Sequence, residues 1–192
     1  MVSAPSGAGK TTLVNAIVEQ MDSVRLSVSH TTRPKRENEV DGRHYHFVSR
    51  DQFQTLAEAG AFLEHADVFG NCYGTPRGPV EDAIDRGRDV LFDVDWQGGQ
   101  QLRNSALGDA VVSVFILPPS IRELRKRLER RAQDSKETIE TRLKNARIEM
   151  EHWKEYDYVL VNEDLDQSCA RVRSILAAAR QKRDRFTQME SF

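Results

Sequence analysis

The sequence predicts an α/β fold built on a mainly parallel sheet. Three observations carry that prediction. Four short apolar runs, Val24–Ser29, Asp89–Asp95, Ala110–Leu117 and Tyr158–Asn162, lack the apolar/polar alternation of a half-exposed strand. Parallel strands are covered on both faces and lose that alternation for this reason. Helical patterns lie between the runs, giving the strand–helix alternation of a parallel sheet. A glycine-bearing loop, Gly7–Gly9, opens the first of the helices.

In chain order, the first helix is expected over residues 10–21. From about His30 to Asp82 the rhythm breaks into turn residues and short alternating runs such as His44-Tyr45-His46-Phe47-Val48. This segment reads as a small insert with its own sheet, placed between two halves of the core. Within it Ser49 and Gln52 form a capping pair for a short helix over Asp51–Glu58. Thr75-Pro76 reads as the start of another, with proline at its first position. Ser120 and Glu123 form a second capping pair, opening a helix over 120–131. Over 136–156, Ile139, Leu143, Ala146, Met150 and Trp153 recur at alternating spacings of four and three, which is one helical stripe. An amphipathic, basic-tipped helix over 165–186 completes the pattern.

Composition narrows the function classes. A chain of 192 residues can bury roughly 70% of its unfolded surface in one sizeable core. Its 28 basic and 30 acidic residues leave a net charge of −2, which argues against a general nucleic-acid binder. Cys72 and Cys169 lie far apart with no metal-site spacing and fit a reducing cytosol. No apolar run approaches ~20 residues and no signal-peptide pattern opens the sequence, so a cytoplasmic protein without membrane partners is expected. His44 and His46 share a strand face, but no cysteine or third histidine joins them at metal-binding spacing. Structural or surface roles are expected for them.

The segment Ala4-Pro5-Ser6-Gly7-Ala8-Gly9-Lys10-Thr11-Thr12 is the strongest signal. Glycines let successive N–H groups curl around phosphate oxygens, and the helix behind adds its positive end. Lys10 is expected to reach the β- and γ-phosphates of a nucleotide, and the Thr11 hydroxyl to hold Mg²⁺. Ala4 stands where the usual pattern has its first glycine, and only Met1-Val2-Ser3 precede the loop as strand. Val90-Leu91-Phe92 leads to Asp93 and Asp95, which share one side of a strand end. Carboxylates there suit a hydrated Mg²⁺ or a polar substrate group. The residues alone do not say which aspartate takes which role, and a solvated strand end is the plain alternative.

Two arginine clusters complete the inventory. Ser29-His30-Thr31-Thr32-Arg33-Pro34-Lys35-Arg36 combines three cations with several hydroxyls. The planar fork of arginine suits bidentate phosphate binding, so beside a phosphate loop this becomes a second anion site. Residues 122–131 hold six basic side chains in ten, and Arg142 follows on the next helix. Such a run is most often a charged helix face. Here it fits a mobile lid whose arginines close on a transferring phosphoryl group.

These residues, in order, resemble the guanylate kinase family along essentially the whole chain. The resemblance rests on Ser27 to Arg36 (SVSHTTRPKR), Glu39-Val40-Asp41-Gly42 with Tyr45, and Phe62-Leu63-Glu64. It continues through Gly70 to Thr75 (GNCYGT), Asp93 to Gly98 (DVDWQG), Pro118-Pro119-Ser120 and Val161-Asn162. It implies a phosphate-loop core like that of the nucleoside-monophosphate kinases, with a mixed α/β GMP-binding insert at 31–82 and a helical lid at 120–147. The core would comprise 1–30, 83–119 and 148–192. It implies transfer of a phosphoryl group from ATP to GMP or dGMP with Mg²⁺. Arg33, Arg36, Tyr45 and Tyr73 would bind the GMP phosphate. Ser29, Glu64 and Thr75 would read guanine, with Asp93 and Asp95 nearby. Arg131 and Arg142 would be the lid arginines, and Asn162 would lie at the ATP adenine. Two rivals stand beside this reading: a non-catalytic interaction module of the same fold, and a phosphate-loop kinase for another small phosphate. The intact Gly9-Lys10-Thr11 speaks against the first, and Glu64 with Ser29 and Thr75 against the second.

Overall fold

The computed structural model describes residues 1–130 and 135–182. In chain order the elements are β1 (Val2–Ser3), α1 (Lys10–Gln20), β2 (Val24–Leu26), β3 (His30–Thr31), β4 (His46–Phe47) and α2 (Arg50–Glu58). They continue with β5 (Phe62–Val68), β6 (Asn71–Pro76), α3 (Arg77–Asp85), β7 (Asp89–Leu91), α4 (Trp96–Arg103) and β8 (Val114–Leu117). α5 (Ile121–Arg130), α6 (Lys136–Glu151), β9 (Tyr158–Val161) and α7 (Leu165–Arg180) follow, with short 3-10 turns at Gly108–Ala110 and His152–Glu155. Two compact units form: Met1–Ser3 with Met21–Ser113, and Ala4–Gln20 with the described residues from Val114 onward. No helix among the described residues is long and apolar enough to cross a membrane.

In the first unit β2 and β7 pair in parallel, from Val24 opposite Asp89 to Leu26 opposite Leu91. β1 is anchored beside them: the Val2 N–H donates to Phe92 O at 2.9 Å, and the Val94 N–H to Val2 O at 3.3 Å. A separate four-stranded sheet has the order β4-β3-β6-β5. There β3 and β4 are parallel, while β6 runs antiparallel to both β3 and β5. The β5–β6 hairpin turns at Phe69 and Gly70, both at positive φ (52° and 78°), the geometry whose twist matches a two-residue hairpin. A register shift between Phe62 and Glu64 sets two β5 residues against one on β6 and re-aims the chain at Glu64. α2 carries the full capping box, with Ser49 and Gln52 each satisfying the other's backbone N–H. α4 packs against β5.

In the second unit β8 and β9 pair in parallel, Val114 opposite Tyr158 through Leu117 opposite Val161. Leu124 and Leu128 of α5 are fully buried against Ile139, Leu143 and Ala146 of α6, so i, i+3/i+4 stripes on both helices form one apolar seam. The Ser120 hydroxyl accepts the Glu123 N–H at 3.1 Å at the head of α5, and Asp164 caps α7 by accepting from Gln167 N–H at 2.9 Å. α1 buries Leu13, Val14 and Ile17 and lies against α7.

Several boundaries differ from the sequence expectation, each for a local reason. The pairing of β7 with β2 stops at Leu91, Phe92 and Val94 turn their peptide groups to Val2 of β1, and Asp95 then caps α4. Pro76 is the N-cap of α3 rather than its first helical residue, and its ψ of 131° lets it also end β6. The stripe expected on α6 holds through Ala146, but Trp153 is 43% exposed because the helix tightens into the 3-10 turn after Glu151.

Candidate active site

The phosphate loop lies in the second unit. Gly7 and Gly9 adopt φ of +90° and +96°, a conformation that side chains resist. Both also lack room for one: a Cβ on Gly7 would stand 2.8 Å from Leu128 Cδ2, and on Gly9 2.7 Å from Asn162 Nδ2. Ala4 is not in the left-handed region, so alanine at that position carries no backbone strain. Three side chains brace the loop. Asn162, 7% exposed, donates from Nδ2 to Ala8 O at 2.9 Å, and its Oδ1 accepts the Ser168 hydroxyl at 3.0 Å. Arg127 donates to Ala8 O and to Asn162 O, both at 3.0 Å. Glu149 accepts the Ser6 N–H at 3.0 Å. Lys10 is half-buried at the head of α1, and Thr11 and Thr12 are exposed beside it.

The predicted acceptor residues cluster in the first unit. Glu64 is 5% exposed although it is a carboxylate, and Thr75 is fully buried opposite it on β6. The Thr75 hydroxyl donates to Glu64 Oε1 at 2.5 Å. Thr75 thus directs its proton at Glu64, and its oxygen keeps lone pairs for a further donor. Ser29, 8% exposed, precedes β3, and its carbonyl accepts the His46 N–H at 2.9 Å. The neighbouring His30 ring lies 4.7 Å from His46. Burial holds His30 below the ordinary histidine value, the charge of His46 adds to this and Asp41 opposes it.

Arg33 is the centre of the anion set. Its guanidinium lies 5.4 Å from the Tyr45 ring centroid and 5.8 Å from that of Phe47, and the Tyr45 and Tyr73 rings meet edge-on at 5.9 Å. Glu39 grips Arg33 with both oxygens, at 3.0 and 2.7 Å, and accepts the Arg36 N–H at 2.8 Å. Burial opposes the Arg33 charge, but the Glu39 hydrogen bonds and charge, with Tyr73 behind them, hold it above the ordinary arginine value. Burial likewise opposes the Glu39 charge, and the bonds from Arg33 and the Arg36 backbone outweigh it, so that carboxyl sits below its ordinary range.

A model of the family described as guanylate kinase matches residues 1–179. The chain belongs to the guanylate kinase family. It is 56% identical over 192 residues to a protein named guanylate kinase from Cereibacter sphaeroides, covering all of this chain and 91% of that one. A protein of the same name from Mesorhizobium japonicum is 56% identical over 185 residues, 96% of this chain and 84% of its own length. The crystal structure of guanylate kinase from Anaplasma phagocytophilum shares 38% identity at a TM-score of 0.84, covering 100% of this chain and 91% of that chain.

Within this guanylate kinase chain, Arg33, Tyr45 and Tyr73 come together, as do Glu64 and Thr75. Arg36 is exposed and joins the set through its backbone and Glu39. Asp93 is half-buried beside β1. Asp95 caps α4 with Oδ1 on the Gly98 N–H at 2.9 Å, and its Oδ2 accepts from Gln97 at 3.2 Å. Arg142 is half-buried on α6, and Arg131 lies outside the described residues. The basic run before it is no uniform cationic face: Arg125 pairs with Glu140 on α6, and Arg127 serves the loop. Sequence reasoning did not assign Glu39, Arg127 or Glu149 to the site. The Glu123–Arg127 spacing of four hinted only at a surface pair, which forms at 3.4 Å.

Proposed function

We propose that the protein transfers the γ-phosphoryl group of ATP to GMP, giving ADP and GDP, with dGMP as a further acceptor. The observation that carries this reading is the buried Glu64 carboxylate bonded by Thr75, on the sheet that also holds Tyr73, which meets Tyr45 and, through it, Arg33 in the segments flanking β3 and β4. Guanine offers N1–H and its 2-amine as adjacent donors, and one carboxylate accepts both. Arg33, Arg36, Tyr45 and Tyr73 bind the 5′-phosphate, and Ser29 meets another edge of the base. The phosphate loop, Ala4 to Thr12, binds ATP, with Lys10 on its β- and γ-phosphates and Asn162 shaping the loop's wall.

A GMP phosphate oxygen attacks the γ-phosphorus while the bond from phosphorus to the β,γ-bridging oxygen breaks, and ADP departs with that electron pair. The second phosphate pKa lies near ~6, so the attacking oxygen is largely deprotonated at neutral pH and needs no general base. The task is positioning and neutralisation of charge, which Lys10, Arg33, Arg131 and Arg142 supply. On this reading Thr11 and Asp93 would serve Mg²⁺, which keeps several waters and takes few protein ligands beside substrate phosphates. When bound it would neutralise phosphate charge. On this reading 31–82 is the GMP-binding insert, 120–147 the lid, and 1–30, 83–119 and 148–192 the core. The same reading places the enzyme in the cytoplasm, without nucleic-acid or membrane partners. An ADP-coupled assay across GMP, dGMP, AMP, CMP and UMP tests it. Turnover with GMP and dGMP alone is expected, and equal turnover with AMP would overturn it.

A further inference from the structure

β5 is the outer strand of its sheet, so alternate peptide groups along it face away from β6. The one ladder of β5, to β6, shifts register between Phe62 and Glu64, and a slip of one residue moves every side chain to the other face. At His65 one side chain closes both outward groups. The His65 N–H donates to Gln101 Oε1 at 3.0 Å, and its C=O accepts from Gln101 Nε2 at 2.8 Å. Two residues on, the Asp67 C=O accepts from Gln97 Nε2 at 3.4 Å.

The spacing explains why a helix can do this. Four helical residues rise about 6 Å, and two strand residues advance about 6.6 Å. Gln97 and Gln101, four apart on one face of α4, therefore meet successive outward peptides of β5. Between them stands Gly98, where a Cβ would collide with Glu64 Oε2 and lie 2.9 Å from Glu64 Cδ. The helix that pins His65 thus also leaves the gap into which the adjacent Glu64 carboxylate fits.

We propose that Gln101, supported by Gln97, is a positioning residue that sets the acceptor specificity of this enzyme by locking the register of β5 at Glu64. This rests on Glu64 being the guanine reader. Gln101 does not touch the base; its carboxamide replaces the missing neighbouring strand, and Thr75 and Gly98 fix the carboxylate from the other sides. Gln101 is exposed, so its replacement leaves the packed interior intact.

The test compares GMP with inosine monophosphate, which keeps N1–H but lacks the 2-amine, in wild type, Gln101→Ala, Gln101→Glu and Glu64→Gln. Glutamate keeps the length of glutamine but cannot donate to the His65 carbonyl. Both Gln101 variants should lower kcat/KM for GMP about three- to tenfold, the range expected for a hydrogen bond of ordinary net strength, chiefly through KM. Inosine monophosphate should lose less, so the preference for GMP narrows, while the KM for ATP and the melting temperature stay near wild type. With Glu64→Gln already present, Gln101→Ala should leave the preference unmoved. Equal losses with both acceptors, additive losses in the double variant, or no loss at all would overturn the proposal. A wild-type enzyme or a Glu64→Gln variant that fails to report the 2-amine would remove the Glu64 reading, and this proposal with it. Normal behaviour of those two beside a neutral Gln101→Ala removes this proposal alone.

Discussion

On the proposed reading Thr75 supports Glu64. Its hydroxyl proton points at Oε1 from a fully buried position, so its absence leaves a buried carboxylate short of a donor. A hydrogen bond to a charged group is worth about 1.5–3 kcal/mol, so Thr75→Val should raise the KM for GMP roughly tenfold or more. Thr75→Ser should restore most of it, since only the hydroxyl matters; steady-state kinetics on the pair decides. Glu39 supports a second prediction, on pH. Its folded carboxyl titrates below the ordinary value of 4.5, because Arg33 and the Arg36 backbone outweigh burial. The pair therefore adds stability above 4.5 that is lost as pH falls through the depressed folded value. Denaturant midpoints measured stepwise downward through that range should fall more steeply in wild type than in Glu39→Gln; parallel curves would contradict the pairing. At this scale the sequence was partly legible. The register shift between Phe62 and Glu64 turns Glu64 toward Thr75, away from the face of Phe62 and His65; pattern alone shows neither that shift nor a reason to bury a glutamate, and only the family resemblance singled it out. Glu39 stood in a quoted motif, yet its grip on Arg33 depends on a turn that spacing does not specify.

At the level of elements, the phosphate loop depends on α5 and the end of β9 as much as on its own glycines. Arg127 reaches two carbonyls, Ala8 O and Asn162 O, with separate nitrogens of one planar group. Lysine cannot reproduce that fork. Arg127→Ala and Arg127→Lys should both raise the KM for ATP about three- to thirtyfold, as for one or two net hydrogen bonds, and leave GMP affinity unchanged. Titration calorimetry with GMP and kinetics with ATP separate the two. The element order was readable: each apolar run contains an observed strand, and each helical pattern a helix. The ends were not, because they are set by particular bonds. Asp95 closes the run at 89–95 by capping α4, and the 3-10 turn after Glu151 lifts Trp153 from a stripe that pure periodicity had continued. Nor could periodicity show that Gln97 and Gln101 of α4 face the edge of β5, since that pairing joins segments about 35 residues apart.

Across the whole molecule, the phosphate loop belongs to one compact unit and the acceptor residues to the other. Binding of the two substrates should therefore separate by mutation. Lys10→Ala is expected to abolish turnover while GMP binds with near wild-type affinity in calorimetry; loss of GMP binding by a folded variant would contradict the division. The fold class, the phosphate loop and the ordered motifs were legible from end to end because each is a local pattern. The braces from Asn162, Arg127 and Glu149 were hidden, since they join residues more than a hundred positions apart. The central claim is that the buried Glu64 makes this acceptor site a guanine site. Adenine turns an acceptor nitrogen toward that carboxylate and has no 2-amine, so the buried groups would stand unpaired. The most direct measurement is kcat/KM for GMP against AMP with the intact enzyme. A site built on polar pairing should favour GMP by about 10⁴–10⁵. Equal values for the two acceptors would contradict the account.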